Sequence, residues 1–217
     1  MTQRDVVARL LDQHGRTFAA QAGITLRDKP SPLFCLLVLS MLSSVPISAD
    51  IAAAAARELF RDGWRTPERL RRSTWQQRVD ALGRGSYRRY DESTATRLEQ
   101  LADHVLDEHR GDLRSLRPAR ASGVPGMREA LEACPRVGPT GSGIFAREVQ
   151  FVWPEQYPYA DDRALASARR LDLPDGAAAL ARLVGARQDF TRLVAALVRS
   201  GLADDHDDIR AVATQAS

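Results

Sequence analysis

Lysine and cysteine are scarce in this chain of 217 residues, and each shortage excludes a kind of chemistry. Among 31 basic side chains Lys29 is the only lysine, so a mechanism through a lysine Schiff base has a single candidate. The two cysteines, Cys35 and Cys134, are too few for a disulfide scaffold and too far apart in sequence for a metal-ligand pair. We therefore expect no metal site and no cofactor.

Long apolar runs and strand-like runs are also nearly absent. The longest apolar segment, Leu33 to Leu42, is too short to cross a bilayer. Only 6% of the residues are aromatic and 27% are charged, a balance typical of soluble globular proteins. We therefore expect a cytoplasmic protein.

Positive charge is present in slight excess and is unevenly distributed. The net charge of +3 permits an anionic partner without requiring one. Residues 57–90 carry ten arginines against four acids, and this local excess could steer a phosphate backbone. The alternative is a solvated helical face. The preponderance of arginine over lysine is itself typical of a GC-rich genome.

The apolar residues recur at helical spacing along almost the whole chain, which predicts an all-α fold. Short helices with threonine N-caps are expected after Thr66 and Thr74. The segment Asp204 to Asp208 is expected to be a short acidic tail. The other expected helices are at 4–21, 33–43, 51–60, 93–109, 127–134, 163–171, 177–184 and 189–200.

A helix, a tight Pro/Gly hairpin and a second helix are predicted over about 127–149. Backbone N–H groups at the start of such a second helix can hold a phosphate, so the backbone geometry that glycine permits matters more than side chains. An ordinary helix–turn–helix corner is the alternative. The residues suited to anion contact are Arg136, Gly138, Thr140, Gly141, Ser142 and Gly143.

This hairpin, with the segments before it, resembles the helix–hairpin–helix DNA glycosylases of the endonuclease III superfamily. Their hairpin reads Leu-Pro-Gly-Val-Gly, for which Cys134-Pro-Arg-Val-Gly138 stands here, with Arg136 in place of the first glycine. The Pro-rich entry Pro30-Ser-Pro-Leu33 and the turn Leu82-Gly-Arg-Gly-Ser-Tyr87 precede it in the family order. The resemblance covers about residues 30–173.

The resemblance implies two helical lobes in an endonuclease III-like fold, with a cleft between them. Residues 30–130 would form a six-helix lobe, while 1–29 and 131–217 would form the second lobe and carry the hairpin. It also implies double-stranded DNA as partner, a monomer, and a cytoplasmic place at the nucleoid.

The activity implied is that of a monofunctional DNA glycosylase, which flips a damaged or mismatched base from the duplex and hydrolyses its glycosidic bond. Asp161 stands at the family's catalytic carboxylate, and the adjacent Asp162 is the alternative. Both could instead be acids that complement a helix dipole. Thr140 stands where lyase-competent members carry lysine, and no cysteine follows Cys134, so neither an imine nor an iron–sulfur cluster is expected.

The turn before the long helix is a second candidate contact. Arg88 and Arg89 could bind DNA, and Tyr87 could stack on an extruded base, unless it is a core residue.

Two functions remain as alternatives to the DNA glycosylase. One is a DNA-binding protein of the same fold without chemistry, and the other is an unrelated all-helical interaction protein.

Overall fold

The computed structural model describes residues 2–117 and 123–215, and within them the chain is all-α with no β-strand, as predicted. Two 3₁₀ turns, Leu113–Leu116 and Pro154–Gln156, separate some of the helices. None of the described helices is long and apolar enough to span a membrane. The helices are α1 Gln3–His14, α2 Phe18–Gln21, α3 Pro30–Leu42, α4 Ala49–Arg61, α5 Pro67–Arg71, α6 Trp75–Arg84, α7 Asp91–His109, α8 Gly123–Glu132, α9 Pro139–Val149, α10 Asp162–Arg170, α11 Ala177–Ala181, α12 Arg187–Ala203 and α13 His206–Gln215.

The chain divides into two compact units, one of residues 1–17 with 156–217 and the other of residues 18–155. In this division the hairpin segment belongs with residues 18–155, whereas the resemblance assigned it to the lobe of the terminal helices. The lobes expected from the resemblance, and the cleft between them, stay predictions.

Helix α3 is the centre of the unit of residues 18–155. Every residue from Leu33 to Leu42 is buried, because α4, α9 and the first 3₁₀ turn pack around the helix. A helix that is apolar on all sides is stable only when it is enclosed in this way. The turn after α6 packs closely on α4, since a Cβ added at Gly85 would lie 2.4 Å from the Cα of Ala55.

The expected threonine caps are confirmed. The hydroxyl of Thr66 accepts a hydrogen bond from the N–H of Arg69 at the start of α5. Thr74 and Gln77 form a reciprocal capping box at the start of α6. These starts depend on residues three positions apart, which is why they can be read from sequence.

The single helix predicted over 4–21 is wrong. The chain leaves α1 at Gly15, whose N–H donates to the carbonyl of Leu11, and a separate short helix, α2, begins at Phe18. The N–H groups of Phe18 and Ala19 donate to the buried carboxylate of Glu148 at 3.2 and 3.0 Å. A distant residue therefore caps the new helix, and no local pattern could indicate it.

The unit of residues 1–17 with 156–217 is built around α12, which contacts α1, α10 and α11. The acidic tail expected at Asp204–Asp208 is also wrong, because α13 begins at His206. The His206 side chain is buried and its Nε2 lies 2.9 Å from the hydroxyl of Ser167. Burial, more than the nearby positive charge of Arg170, lowers the pKa of His206. These polar residues are therefore part of the packing of the unit.

Candidate nucleic-acid interface

The hairpin between α8 and α9 is a tight turn over Cys134 to Val137. The N–H of Val137 donates to the carbonyl of Cys134 at 3.1 Å, Pro135 is the second residue, and Arg136 is the third, with φ of +66°. These are the features of a type II β-turn, whose third position favours glycine. Arg136 therefore adopts the left-handed backbone that favours glycine at this position of the turn, and it is exposed to solvent.

Helix α9 begins immediately after this turn without a side-chain cap. Its N-cap is Gly138 and its first residue is Pro139, which has no N–H to satisfy. Gly138 has φ of −89°, which any residue can adopt, and a Cβ built there meets nothing within 4 Å. Gly138, Pro139 and Thr140 are all exposed. The start of α9 thus presents first-turn N–H groups and the positive end of the helix dipole to solvent.

The three residues after Thr140 face the interior of the unit. Gly141, Ser142 and Gly143 are buried. A Cβ on Gly141 would lie 3.4 Å from a methyl of Val137 and 3.8 Å from the carbonyl oxygen of Ser40 in α3. These three positions let α9 approach its neighbours closely, and of the hairpin residues expected to contact an anion only Arg136, Gly138 and Thr140 are exposed.

A polar clamp of Arg128, Glu132 and Ser142 fixes the hairpin. The Ser142 hydroxyl donates to Oε1 of Glu132 at 2.6 Å and accepts from Nε of Arg128 at 3.1 Å. The Arg128 guanidinium also donates to the carbonyl of Pro139 at 3.2 Å. The clamp therefore joins the end of α8 to the first turn of α9. Sequence reasoning missed Arg128 and Glu132, because their helical position alone looks like an ordinary exposed ion pair.

The second predicted contact, the turn before α7, is only partly on the surface. Tyr87 is fully buried, and its hydroxyl donates to the carbonyl of Leu42 at 3.0 Å. Burial raises the pKa of Tyr87 to about 12. This side chain is thus a core residue and cannot stack on an extruded base. Arg88 and Arg89 are exposed, and the guanidinium of Arg89 lies over the ring of Tyr90, 5.3 Å from its centroid, which is a cation–π contact.

Both predicted contact segments pack against the C-terminal end of α3. The start of α9 packs there against Ser40 and Ser44, and Tyr87 anchors the Arg88–Arg89 turn to Leu42. Two segments about 50 residues apart in sequence are therefore held at the same end of one rigid helix, within one unit.

Four of the ten arginines of residues 57–90 form ion pairs with acids of the protein. Arg78 is buried and pairs with Glu99, Arg71 pairs with Asp103, and Arg84 pairs with both Glu58 and Asp62. Further arginines donate to backbone carbonyls or to acids on their own helix. Among the described residues, the arginines of this stretch for which no such pair is found are Arg69, Arg72, Arg88 and Arg89. Ion pairs within the protein therefore offset part of the positive charge that the count of arginines suggests.

Asp161 is the N-cap of α10, in the unit of residues 1–17 with 156–217. Its Oδ1 accepts a hydrogen bond from the N–H of Ala164 at 3.1 Å, and the residue is half-buried. Asp162 is the first residue of the helix and is exposed. The two adjacent acids therefore have different surroundings. Asp161 is held by the helix start, whereas Asp162 points into solvent at the positive end of the dipole.

Neither cysteine has the surroundings of a reactive nucleophile. Burial raises the pKa of the Cys35 thiol and of the Cys134 thiol to about 11 in each case. Both are neutral thiols at physiological pH when no metal is bound, and a neutral thiol is a poor nucleophile.

Comparison with known proteins gives one structural similarity. No family model matches the chain, and no curated protein matches it. Among solved structures, it is similar to endonuclease III in a trapped covalent intermediate with DNA, described as an estranged-adenine complex. The sequence identity is 16%, the TM-score is 0.48, and the match covers 92% of this chain and 86% of the other.

Proposed function

We propose that the protein binds double-stranded DNA through the hairpin and acts as a monofunctional DNA glycosylase. The observation that supports binding is the exposed, uncapped start of α9, with Arg136 beside it and the Arg88–Arg89 turn at the same end of α3. Free N–H groups at a helix start bind phosphate oxygens, and arginines add charge-assisted contacts. The contacts are made to the backbone of the duplex, so they position the protein without reading sequence.

In the proposed reaction the carboxylate of Asp161 supplies the negative charge that stabilises the transition state. As the bond between the base and the anomeric carbon breaks, positive charge develops on the sugar, and a carboxylate stabilises it. Water then attacks the anomeric carbon and gives up one proton to the solvent, while the departing base keeps the bonding electron pair and takes up one proton, so the products are a free base and an abasic sugar. Thr140 at the position of the family's lysine has no amine to form an imine, so the strand stays intact until alkali is added.

The test of catalysis is a panel of duplexes, each with one modified or mismatched base, incubated with protein and then cleaved by alkali at abasic sites. Asp161→Asn is the decisive variant, because asparagine caps a helix as well as aspartate does. The variant keeps an oxygen that can accept the hydrogen bond from Ala164 and removes the negative charge. We expect the rate of base release to fall by about 100-fold or more, while DNA affinity is unchanged or rises.

The matched control is Asp162→Asn, which removes the same negative charge from the exposed residue next to Asp161. It should change base release far less than Asp161→Asn. The opposite ranking would move the catalytic role to Asp162. Equal rates in both variants and the wild type would exclude both acids.

A second function, DNA binding without chemistry, is favoured by one observation. Asp161 already has a structural role as the N-cap of α10, and a capping acid needs no catalytic role to explain it. Under this alternative no duplex in the panel releases a base, while affinity is retained and falls steeply with salt as counterions are released. Absence of affinity at low salt would exclude both DNA functions and leave an all-helical interaction protein.

A further inference from the structure

Two histidines and a cysteine converge beside the hairpin. His104 and His109 lie near the end of α7, and Cys134 is the first residue of the turn that leads into α9. One nitrogen from each imidazole and the sulfur of Cys134 all lie within 4.8 Å of one another. The chain has four histidines and two cysteines, so half of its imidazole and thiol groups meet at this point. We propose that His104, His109 and Cys134 bind a zinc ion.

The donor set favours zinc. Zn²⁺ is bound in proteins by thiolate sulfur and imidazole nitrogen, usually with tetrahedral geometry. From ordinary zinc–nitrogen and zinc–sulfur distances, the ligand atoms of such a site lie about 3.3–3.6 Å apart. Closing the group from its present spacing therefore requires movements of about 1 Å, which rotation of the side chains can supply. The fourth position is left for water.

The surroundings of His109 prepare it for a metal. The hydroxyl of Ser115 donates to the carbonyl of Asp112 at 3.0 Å, and its oxygen lies 2.9 Å from Nδ1 of His109. With its hydrogen directed to Asp112, the Ser115 oxygen can accept from an N–H at Nδ1, the tautomer in which His109 would bind a metal through Nε2. This leaves the lone pair on Nε2. An outer partner that fixes the tautomer and ring orientation in this way is the usual support of a histidine ligand.

The position of Cys134 gives the ion a structural consequence. A bond from zinc to this sulfur would join the start of the turn, next to Pro135 and Arg136, to the end of α7. Zinc would thereby restrain the hairpin against local opening, in the way that structural zinc sites stabilise small folded regions. The site is independent of the proposed DNA function, because it requires no nucleic acid.

The test begins with Co²⁺ added to the metal-free full-length protein, since cobalt replaces zinc and is visible by absorption. We expect the ligand-field bands of a tetrahedral site, a thiolate-to-cobalt charge-transfer band, and displacement of cobalt by one equivalent of Zn²⁺. Cys134→Ser should abolish the charge-transfer band. It should also weaken zinc binding by more than about 100-fold, because loss of a ligand should cost more than loss of an outer hydrogen-bond partner, which costs at most about 100-fold. Ser115→Ala should weaken it by about 10-fold.

The controls are Cys35→Ser and His206→Gln, which change the other buried cysteine and a buried histidine elsewhere and should leave the spectrum unchanged. If Cys134→Ser does not fold, the half-buried His104→Ala gives the same comparison. Zn²⁺ should also slow hydrogen exchange of the amides at 134–141 in the wild type and not in His104→Ala. A wild-type spectrum without a thiolate band, or one that survives both variants, would overturn the site.

Discussion

Replacing Arg136 by glycine is expected to make the protein more stable and its binding to DNA weaker. Arg136 has φ of +66°, and a left-handed backbone costs a residue other than glycine about 1–2 kcal/mol. Glycine removes that cost, but the greater conformational entropy of glycine stabilises the unfolded chain by about 0.4–1 kcal/mol. The expected net gain is about 0.5–1 kcal/mol, which for a chain of this size raises Tm by about 1–4 °C.

The same substitution removes a guanidinium that is exposed next to the start of α9. If Arg136 contacts one phosphate, the slope of log affinity against log salt should become shallower by about 0.9. Thermal unfolding followed by circular dichroism measures the first effect, and titration of a fluorescent duplex over a range of salt concentrations measures the second.

Two further substitutions at this position separate backbone from charge. Arg136→Ala removes the charge and keeps the left-handed strain, so it should lose DNA affinity without gaining stability. Arg136→Lys keeps both the charge and the strain, and should resemble the wild type. A fall in Tm for Arg136→Gly, or equal Tm values for the glycine and alanine variants, would refute the left-handed turn. Unchanged salt dependence in both would refute the phosphate contact.

Three further predictions concern other parts of the protein. Ser142→Ala should lower the free energy of unfolding by about 1–3 kcal/mol, measured by urea denaturation, because Arg128 and Glu132 lose a buried partner. Burial lowers the pKa of His206 in the folded state, so the unfolded chain binds the proton more readily. The stability that neutral His206 contributes is therefore fully present above about pH 6.5 and is lost as the pH falls below that value. The free energy of unfolding of His206→Gln should accordingly fall less than that of the wild type over the same pH range. Gly138→Val should lower the free energy of unfolding by no more than about 1 kcal/mol, because its Cβ meets no neighbour and valine is only a poorer N-cap than glycine, yet it should weaken duplex binding by covering the N–H groups of α9. A larger loss of stability in urea denaturation, or unchanged binding, would contradict this.

The local elements of the fold were readable from the sequence. The all-α class follows from apolar spacing, and the helix starts at Thr66 and Thr74 follow from residues three positions apart. The second helix of the hairpin, α9, was likewise expected after the Pro/Gly turn. Each of these features is stabilised by interactions within one or two turns of chain, so a short window of sequence contains its cause.

The separation of surface from interior was decided by packing. Tyr87 and Ser142 have the same chemistry as many exposed binding residues, yet both are buried, because α3 and α8 bring acceptors to their hydroxyls. The break between α1 and α2 likewise depends on Glu148, whose carboxylate comes from 130 residues away along the chain. Such contacts link positions that no local pattern relates.

The two candidate sites likewise differ in whether local sequence or tertiary packing determines them. The exposed start of α9 could be predicted, since the turn residues themselves encode it. The meeting of His104 and His109 with Cys134 could not, because the second histidine and the cysteine are 25 positions apart in sequence and no local pattern relates them. A sequence determines which local hydrogen bonds, such as those of helix caps and turns, each segment can form. Which side chains become neighbours depends on how the helices bury their apolar faces against one another, and that is settled only when the whole unit folds.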